Sequence, residues 1–387
     1  MVINNAVDTY PSWVWSISSH TSPTTEPNTH EAGRSSPLMG QDAIAFAAGK
    51  IVCGRWKVLS RLGAGGCGSV YKVEDMQRKG YIAALKAEAI VEDDSGVLKL
   101  EAAVLKKLAD RKNVIRLLQS GKRSKYSFIV MTICGSDLMS LKKKSPEGFS
   151  ESTILRIGIH ALYAIKQLHE IGFVHRDVKP GNMMNGANGR DRRIIFLIDY
   201  GMVRNFVVRD AKGISMRKPR KNVLLRGTLR YCSLSVHRRL EQGRVDDLWA
   251  MLYMLGELYV GLPWNRITVE KEIVKIKEAE TDENVFKECP EEFVAVAKYL
   301  RTLNYQDRPD YFKIYTWFMG AMKREKYTFS DKYEWEDDSI FTAKLNTALD
   351  YSNREKSSKK ALEGYDKEAL LYTNIHENNF KEVILKL

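Results

Sequence analysis

Short runs of apolar residues dominate the chain between residues 55 and 133. They are rich in Val, Ile, Leu and Tyr, and turn residues separate several of them. This pattern is typical of β-strands, and it predicts five: "RWKVLSRL", "GSVYKVED", "YIAALKAEA", "VIRLLQSG" and "YSFIVMTI". The segment "SGVLKLEAAVLKKLAD" differs because its Leu and Ala residues recur at helical spacing, with Ser95 as the expected cap. This region therefore predicts a small sheet with one helix.

After residue 150 the apolar positions follow a helical period. Ser150 can cap a helix in "ESTILRIGIHALYAIKQLHEIG", whose apolar residues form one stripe. The segment "DDLWAMLYMLGELYV" is apolar on nearly every face, which predicts a helix buried in the middle of a second lobe. Three further segments look amphipathic: "ITVEKEIVKIKEAE", "PEEFVAVAKYLRTL" and "DYFKIYTWFMGAMKR". The whole pattern predicts an α+β fold with a small β-rich N-lobe and a larger helical C-lobe.

The two ends of the chain lack a sustained hydrophobic period. Residues 1–50 are rich in Ser, Thr, Asn and Pro, which is typical of a disordered tail, and residues 328–387 are polar and mixed in charge. We therefore predict one folded domain over residues 51–327, with an N-lobe at 51–131 and a C-lobe at 135–327. The remaining 328–387 would form a C-terminal extension.

The composition indicates what kind of partner the protein binds and in which compartment it lies. The 387 residues include 61 Lys and Arg against 48 Asp and Glu, and the net charge of +13 predicts an anionic partner. Five cysteines without a C-x-x-C pair argue against a disulfide framework or a zinc site and favour a reducing compartment. No run reaches the roughly 18 apolar residues that a membrane span needs. We expect no membrane insertion, a cytoplasmic location with the nucleus as an alternative, and a monomer.

The stretch "VHRDVKPGNMM", residues 174–184, concentrates polar side chains where a helix cannot form. Pro180 disfavours the helical region for the residue before it, so Asp177, Lys179 and Asn182 should project from a loop. Further along, the apolar strand of "RIIFLIDYG" ends in Asp199. A carboxylate there suits Mg²⁺, which prefers oxygen ligands, and Asn182 can supply a second oxygen.

A second group of candidate residues lies in the N-lobe. The segment "LGAGGCGSVY" places Gly63, Gly65, Gly66 and Gly68 between two strand-like runs, where backbone N–H groups can approach phosphates. Lys86 ends an apolar strand and needs a counter-anion, which Glu101 on the predicted helix can supply. Taken singly, each of these features also has a plain explanation as a glycine turn, a surface lysine or a solvated acid.

Taken together and in this order, these motifs resemble the protein-kinase signature. The resemblance covers residues 51 to 336 and implies a two-lobed kinase fold that uses ATP and Mg²⁺. It implies that Asp177 orients the substrate hydroxyl and accepts its proton, and that Lys179 neutralises charge on the moving phosphoryl group. Lys86, paired with Glu101, would contact the ATP phosphates, and Asn182 and Asp199 would hold the metal.

The residues from about 226 to 264 resemble one group of protein kinases more than others. Ser233-Leu234-Ser235 stands where most kinases have Ala-Pro-Glu, which resembles the casein kinase I superfamily. The motifs "RGTLRY", "GRVDDLW", "LPW" and "PDY" look closest to the tau-tubulin kinase branch. The resemblance implies serine/threonine kinase activity and extends the ATP-binding site, beyond the glycines and Lys86, to Val70, Ala84, Met131, Thr132 and Cys134.

Two residues depart from the family pattern. Tyr200 replaces the usual Phe of Asp-Phe-Gly, so its hydroxyl needs a partner if it is buried. Cys67 replaces a Phe at the tip of the glycine loop, where a thiolate could form and oxidation would obstruct the phosphate site. Neither replacement removes a catalytic group. Arg308 occupies a place where many kinases have an Arg that pairs with the Glu missing here, so the sequence does not name its partner.

A run of basic residues lies between Asp199 and Tyr231. It contains nine Lys and Arg residues, and Asp210 is its one acid. Such a run beside the catalytic loop predicts a pocket for acidic or phosphorylated protein substrates, with cytoskeletal proteins among the candidates. The predicted substrate-binding residues are Arg217, Lys218, Arg220, Lys221 and Arg230.

Two alternatives remain open at the level of sequence. The chain could be a pseudokinase scaffold, which Tyr200 and Cys67 allow, or its basic face could bind microtubules or nucleic acid. A nucleic acid partner is not expected, because no recognised motif accompanies the basic run and no aromatics interleave it. Ser215 is the one hydroxyl residue between Gly201 and Gly227, and we predict activity without its phosphorylation.

Overall fold

The computed structural model describes residues 44–65, 68–90, 96–210, 213–336, 373 and 375–381. The chain forms two compact units, which confirms the predicted α+β fold with two lobes. The first unit contains residues up to 102 together with 117–133, and the second contains 103–116 together with the chain from 134 onward. Each is described here on its own.

The first unit is built on a six-stranded antiparallel sheet. Its strands follow the order β1-β2-β3-β4-β6-β5, and their bounds are β1 (Ile51–Val52), β2 (Trp56–Gly65), β3 (Gly68–Asp75), β4 (Ile82–Ala89), β5 (Leu117–Lys122) and β6 (Tyr126–Thr132). Both β3 and β4 lie inside the sheet, but β3 alternates between buried and half-buried residues, whereas β4 is buried along six consecutive residues. All five strand-like runs of the sequence are strands.

The core of this unit is aromatic and aliphatic. Trp56, Tyr71 and Phe128 are buried in it, and Phe46 joins them with its ring centroid 5.1 Å from that of Tyr71. Phe46 therefore contacts the sheet although the predicted boundary at residue 51 places it in the N-terminal tail. Residues 1–43 lie outside the described part of the chain.

Helix α1 (Val97–Lys107) follows β4, as the periodicity predicts. The expected cap, Ser95, lies outside the described residues. Glu88 of β4 accepts a hydrogen bond from the backbone N–H of Leu98 over 3.0 Å. A carboxylate at this end of a helix is favourable because it satisfies an orphan donor and faces the positive end of the helix dipole.

The second unit is mainly helical. Its helices are α2 (Leu138–Lys144), α3 (Glu151–Glu170), α4 (Leu234–His237), α5 (Arg244–Tyr259), α6 (Glu270–Ala279), α7 (Asp282–Val285), α8 (Glu291–Arg301) and α9 (Tyr311–Arg324). Ser150 caps α3 as predicted, since its Oγ accepts a hydrogen bond from Thr153 N over 3.3 Å. Helix α5 is buried along nearly its whole length, as its uniformly apolar sequence indicates.

Short strands in this unit frame the loops that carry polar residues. They are β7 (Cys134–Asp137), β8 (Phe173–Val174), β9 (Met183–Gly186), β10 (Ile195–Leu197), β11 (Arg204–Asn205), β12 (Val207–Asp210) and β13 (Gly213–Met216). Strand β9 pairs with β7 and β10, β8 pairs with β11, and β12 pairs with β13. The ends of β8, β9 and β10 thereby position the motifs around Asp177, Asn182 and Asp199.

Helix α3 is buried on all sides, and its apolar stripe explains only part of this burial. Arg156, on the polar side, donates to the carbonyl oxygen of Asp331 over 2.6 Å and lies 3.9 Å from the ring centroid of Tyr333. Phe380 packs nearby, with its ring centroid 5.7 Å from that of Tyr163 and stacked 4.3 Å from that of Tyr315. Residues 328–336 and 375–381, which the predicted boundary places in the extension, thus pack on the helical unit.

Candidate active site

A buried ion pair joins the sheet of the first unit to helix α1. Lys86 Nζ lies 2.8 Å from Glu101 Oε2, and both side chains are less than a tenth exposed. Lys86 projects from β4, opposite Val70 of β3 and Ile129 of β6. The second carboxylate oxygen of Glu101 accepts no hydrogen bond from any described residue. The pair holds the ammonium group of Lys86 in one place.

The glycine loop is the hairpin between β2 and β3. Gly63 pairs with Val70 and Gly65 pairs with Gly68, so the predicted glycines lie at the closed end of the hairpin. Gly68 has a φ of +107°, and a Cβ at this position would lie 2.2 Å from the carbonyl oxygen of Ala87. Only glycine fits there without moving β4. Gly66 and Cys67 lie outside the described residues, so the hypothesis of a reactive thiol at Cys67 stays a prediction.

The residues that the family resemblance assigns to ATP lie on strands of both units. Ala84 on β4 pairs with Met131 on β6, and Thr132 ends β6. Cys134 begins β7 and pairs with Gly186. Burial raises the pKa of the Cys134 thiol to about 12, so this thiol is neutral at physiological pH.

Asp177 is held in place by hydrogen bonds from three side chains in the second unit. Thr228 Oγ1 donates to its Oδ1 over 2.9 Å, Lys179 Nζ lies 2.8 Å from its Oδ2, and Asn182 Nδ2 donates to its backbone carbonyl over 2.9 Å. Lys179 Nζ also lies 3.4 Å from Thr228 Oγ1. The structure therefore brings together the carboxylate, ammonium and amide groups of the predicted catalytic loop.

The shape of this loop depends on Asp247 of α5. Its carboxylate accepts hydrogen bonds from the backbone N–H groups of His175 (2.6 Å) and Arg176 (2.8 Å), and Arg176 has a left-handed φ of +69°. Burial alone would raise the pKa of Asp247, but its hydrogen bond with His169 and the nearby charges leave that pKa below the ordinary value. A buried carboxylate thus fixes the two residues that precede Asp177.

Asn182 and Asp199 offer oxygen atoms to a divalent cation. The backbone N–H of Ile198 donates to the carbonyl oxygen of Asn182 over 3.0 Å, which brings Asn182 next to the chain that leads into Asp199. The side-chain Oδ1 of Asn182 is buried and accepts no hydrogen bond from the described residues. Buried oxygens normally have a partner, and a hard cation such as Mg²⁺ can serve as one. An amide oxygen and a carboxylate together fit Mg²⁺.

Tyr200 is buried without leaving its hydroxyl unsatisfied. The hydroxyl donates to the carbonyl oxygen of Leu197 over 3.0 Å. The substitution of Tyr for Phe after Asp199 is therefore accommodated locally, inside the turn that carries Asp199.

Lys277 of α6 holds the chain just before Ser233-Leu234-Ser235, the motif that stands in place of Ala-Pro-Glu. It is buried and donates to the carbonyl oxygens of Leu229 (3.1 Å) and Cys232 (2.6 Å). Ser233 caps α4, and its Oγ donates to Asp246 over 2.5 Å. The guanidinium of Arg308 lies 5.4 Å from the ring centroid of Tyr311. Nothing in the sequence pattern distinguishes Lys277 from the solvated lysines of its helix.

The predicted substrate-binding residues fall into two groups. Arg217, Lys218 and Lys221 are exposed, and none of them forms an ion pair in the part of the chain that the structure describes. Arg220 Nε lies 2.6 Å from Glu241, and Arg230 Nη1 lies 2.6 Å from Glu257. The two paired arginines already have carboxylate partners from outside the basic run, which a count of acids within the run misses.

Comparison with known proteins identifies the family. The family described as protein kinase domain matches residues 56–318. The chain belongs to the protein kinase family, whose members use ATP and act on protein substrates.

Proteins similar to this chain indicate which type of protein kinase it is. A Caenorhabditis elegans protein named provisionally as a serine/threonine-protein kinase is 42% identical over 299 residues, which cover 77% of this chain and 86% of that relative. An inactive tau-tubulin kinase of the same organism is 36% identical over 252 residues (62% and 87%). A protein provisionally named a casein kinase I, also from that organism, is 34% identical over 241 residues (60% and 69%). The chain is a serine/threonine-protein kinase.

The described part of the chain has no helix with the length and apolar character that a membrane span requires.

Proposed function

We propose that this kinase is catalytically active and transfers the γ-phosphate of Mg-ATP to Ser or Thr of acidic or phosphorylated proteins. The observation that carries the proposal is the geometry of Asp177, whose carboxylate is bound on one side by Thr228 and on the other by Lys179. A pseudokinase has no need to keep this arrangement together with Asn182, Asp199 and the Lys86–Glu101 pair.

Each of these residues has a distinct task in phosphoryl transfer. Asp177 orients the substrate hydroxyl and accepts its proton, and Lys179, which touches Asp177, neutralises charge that develops on the transferred group. Lys86 holds phosphate oxygens while Glu101 fixes its ammonium group. Asn182 and Asp199 would hold Mg²⁺, which supplies positive charge beside the phosphates.

The substrate class is inferred from the exposed part of the basic run. Arg217, Lys218 and Lys221 project into solvent and have no acidic partner among the residues that the structure describes, so they can bind phosphate or carboxylate groups near the target residue. Arg230 can contribute only by exchanging Glu257 for a substrate anion, whereas Arg220 is bound to Glu241 by two hydrogen bonds from its side chain. Arg230 keeps 32% of its side chain exposed, which leaves such an exchange open.

We also propose that the chain belongs to the casein kinase I superfamily, nearest its tau-tubulin branch. Ser233-Leu234-Ser235 supports this, and so do the names of two relatives. One of those relatives is named inactive, which makes the scaffold alternative worth testing directly. Binding of microtubules or nucleic acid by the basic face has no further observation in its favour. A monomeric state and a cytoplasmic or nuclear location stay predictions.

The test of the proposed activity compares phosphate transfer to casein by the wild type with transfer by Asp199→Asn and Lys86→Met. Both variants should lose most turnover, because one loses a metal ligand and the other a phosphate contact, and both should keep the wild-type Tm within a few degrees. Wild-type transfer no greater than that of Asp199→Asn would favour the scaffold.

A further inference from the structure

Glu241, just before α5, has a buried carboxylate that forms ion pairs with two partly exposed arginines of the basic run. Its side chain is 3% exposed. Oε1 lies 3.0 Å from Arg204 Nε, and Oε2 lies 2.6 Å from Arg220 Nε. Arg220 also donates from Nη2 to Oε1 over 3.2 Å, which makes the contact bidentate. Bidentate pairs of this kind are among the strongest and most directional hydrogen-bonded contacts in proteins.

Residues next to Glu241 in the chain hold further parts of residues 220–226. The backbone N–H of Val223 donates to the carbonyl oxygen of Arg239 over 3.1 Å, and Gln242 Nε2 donates to the carbonyl oxygen of Arg226 over 3.1 Å. Residues 239–242 thus anchor residues 220–226 at three points, and Glu241 supplies the one charged anchor.

The anchored segment leads directly into the catalytic loop. Gly227 follows it with a φ of +101°, and a Cβ there would lie 2.4 Å from the carbonyl oxygen of Arg176. Thr228, next in the chain, donates to Asp177 over 2.9 Å. A displacement of residues 220–226 would therefore carry Thr228 away from the catalytic carboxylate.

The surroundings of Glu241 are strongly basic. Burial, followed by the charges of Arg204 and Arg226, lowers the pKa of Arg176 to about 10, and Asp247 and then Glu241 oppose this shift. Without Glu241, less negative charge would offset the repulsion among these arginines beside the catalytic loop. Many kinases order such a segment by phosphorylation, which places a phosphate opposite an arginine cluster. Here the one hydroxyl residue between Gly201 and Gly227, Ser215, is exposed on β13.

We propose that Glu241 is a positioning residue that supplies, as a permanent part of the fold, the negative charge that phosphorylated activation segments obtain from a phosphate. Its carboxylate binds Arg204 and Arg220 and so keeps Thr228 against Asp177 without any modification of the segment. The inference rests on the proposed kinase activity and adds to it the way in which the active conformation is maintained.

The experiment uses the full chain made in bacteria, with Ser215 shown by mass spectrometry to be unmodified. Glu241→Gln should lower kcat for casein by about tenfold or more, since it replaces charged hydrogen bonds by neutral ones, while KM for ATP changes little. Trypsin should cut after Arg217, Arg220, Lys221 or Arg226 several times faster than in the wild type. Glu241→Asp should recover part of both properties, and Ser215→Ala should behave as the wild type.

Asp282→Asn provides the matched control. Asp282 forms a bidentate pair with Arg301 at 2.6 and 2.7 Å, also with a buried carboxylate and a half-exposed arginine. Loss of this ion pair in Asp282→Asn should lower Tm as much as Glu241→Gln does. It should leave kcat and tryptic cleavage within residues 217–226 unchanged. Should Glu241→Gln not fold, Arg220→Gln, which changes a half-exposed side chain, must show the same two effects.

The outcomes separate this inference from the activity on which it rests. If the wild type transfers no phosphate, the proposed function fails. If the wild type is active and Glu241→Gln keeps its kcat within about twofold, or if kcat depends on phosphorylated Ser215, the role of Glu241 is overturned.

Discussion

Thr228 and Asp177, which are 51 positions apart, share a hydrogen bond of 2.9 Å in which the threonine hydroxyl is the donor. The bond orients the carboxylate that we propose as the acceptor of the substrate proton. We predict that Thr228→Val lowers kcat by about tenfold or more, because a hydrogen bond to a charged group contributes roughly 1.5 to 3 kcal/mol. KM for ATP should stay the same.

Thr228→Ser is the matched variant, because it keeps the hydroxyl and removes only a methyl group. Steady-state kinetics with a peptide substrate provides the measurement. Equal loss in the Ser and Val variants would show that the methyl packing, rather than the bond to Asp177, is what matters.

Gly68 and Gly80 allow the glycine hairpin to be tested with an internal control. Both have positive φ, but a Cβ at Gly68 would lie 2.2 Å from the carbonyl oxygen of Ala87, whereas a Cβ at Gly80 meets nothing within 4 Å. Gly80→Ala should cost only backbone strain, about 1 to 2 kcal/mol. Gly68→Ala should lower Tm further and raise KM for ATP severalfold. Equal Tm and KM values for the two variants would contradict the close approach of Gly68 to β4.

The exposed basic residues can be tested by charge reversal. Changing Arg217, Lys218 and Lys221 to Glu should raise KM for acidic or phosphorylated peptides by about tenfold or more, at up to about 1 kcal/mol for each exposed contact. KM for ATP should not change. Added salt should raise the KM of the wild type for these peptides in the same way, because exposed charges are screened over about 8 Å at physiological ionic strength.

Reversal of Lys287, Lys323 and Lys326, three exposed lysines outside the basic run, changes the net charge equally and serves as the control. An equal rise in KM for both triple variants would assign the effect to overall charge. If the triple variant of the basic run loses rate equally with phosphorylated and unphosphorylated peptides, the basic run does not select the substrate.

The stability that Glu241 contributes should depend on pH. Burial alone would raise the pKa of Glu241, but the hydrogen bonds from Arg220 and the charge of Arg204 leave its pKa below the ordinary 4.5. A carboxylate with a lowered native pKa stabilises the fold above its unfolded pKa, and this contribution is lost as pH falls through the native value. The difference in Tm between the wild type and Glu241→Gln should therefore be constant near pH 7 and shrink below about pH 4.5.

Glu270 provides a comparison for this pH dependence. The hydrogen bonds from Arg239 lower the pKa of Glu270 to about 2. The difference in Tm between the wild type and Glu270→Gln should thus persist to lower pH than the difference for Glu241→Gln. Calorimetry between pH 7 and the onset of acid unfolding measures both. If the difference in Tm between the wild type and Glu241→Gln grew as the pH fell, the ionised form of Glu241 would not be the form that stabilises the fold.

Phe380 should contribute strongly to stability although it lies far from the catalytic residues in sequence. It is 1% exposed and stacks on Tyr315. Replacing a buried Phe by Ala typically costs about 3 to 5 kcal/mol, so Phe380→Ala should lower Tm by roughly 6 °C or more. Leu224→Ala, at a side chain that is 77% exposed, should leave Tm unchanged. An unchanged Tm for Phe380→Ala would mean that the segment does not stabilise the helical unit.

Local pattern predicted most of the helices and strands and indicated the candidate catalytic residues. Alternation and apolar runs identify β2 to β6, the period and Ser150 identify α3, and short ordered motifs identify Asp177, Asn182 and Asp199. Each of these signals lies within about 20 consecutive residues, where side-chain periodicity reports local geometry.

Contacts between distant parts of the chain could not be predicted in this way. Arg156 is the kind of residue expected at a solvated helix position, yet it donates to the backbone carbonyl oxygen of Asp331, 175 residues further along. Glu241 and Glu257 neutralise Arg220 and Arg230 from outside the basic run, so the number of basic residues overstates the positive charge left for a substrate. Such pairings follow from the fold and have no local signature.

The burial of α3 by residues 375–381 also has a consequence for synthesis on the ribosome. These residues are translated about 200 positions after α3, which takes on the order of 10 to 40 seconds at typical elongation rates. During that interval the nascent helical unit exposes the aromatic surface around Tyr163 and Tyr315 that Phe380 later covers. Exposed apolar surface on unfinished chains is what chaperones bind and what promotes aggregation. The final yield of the kinase will therefore depend on chaperone supply during translation more than the stability of the finished fold suggests.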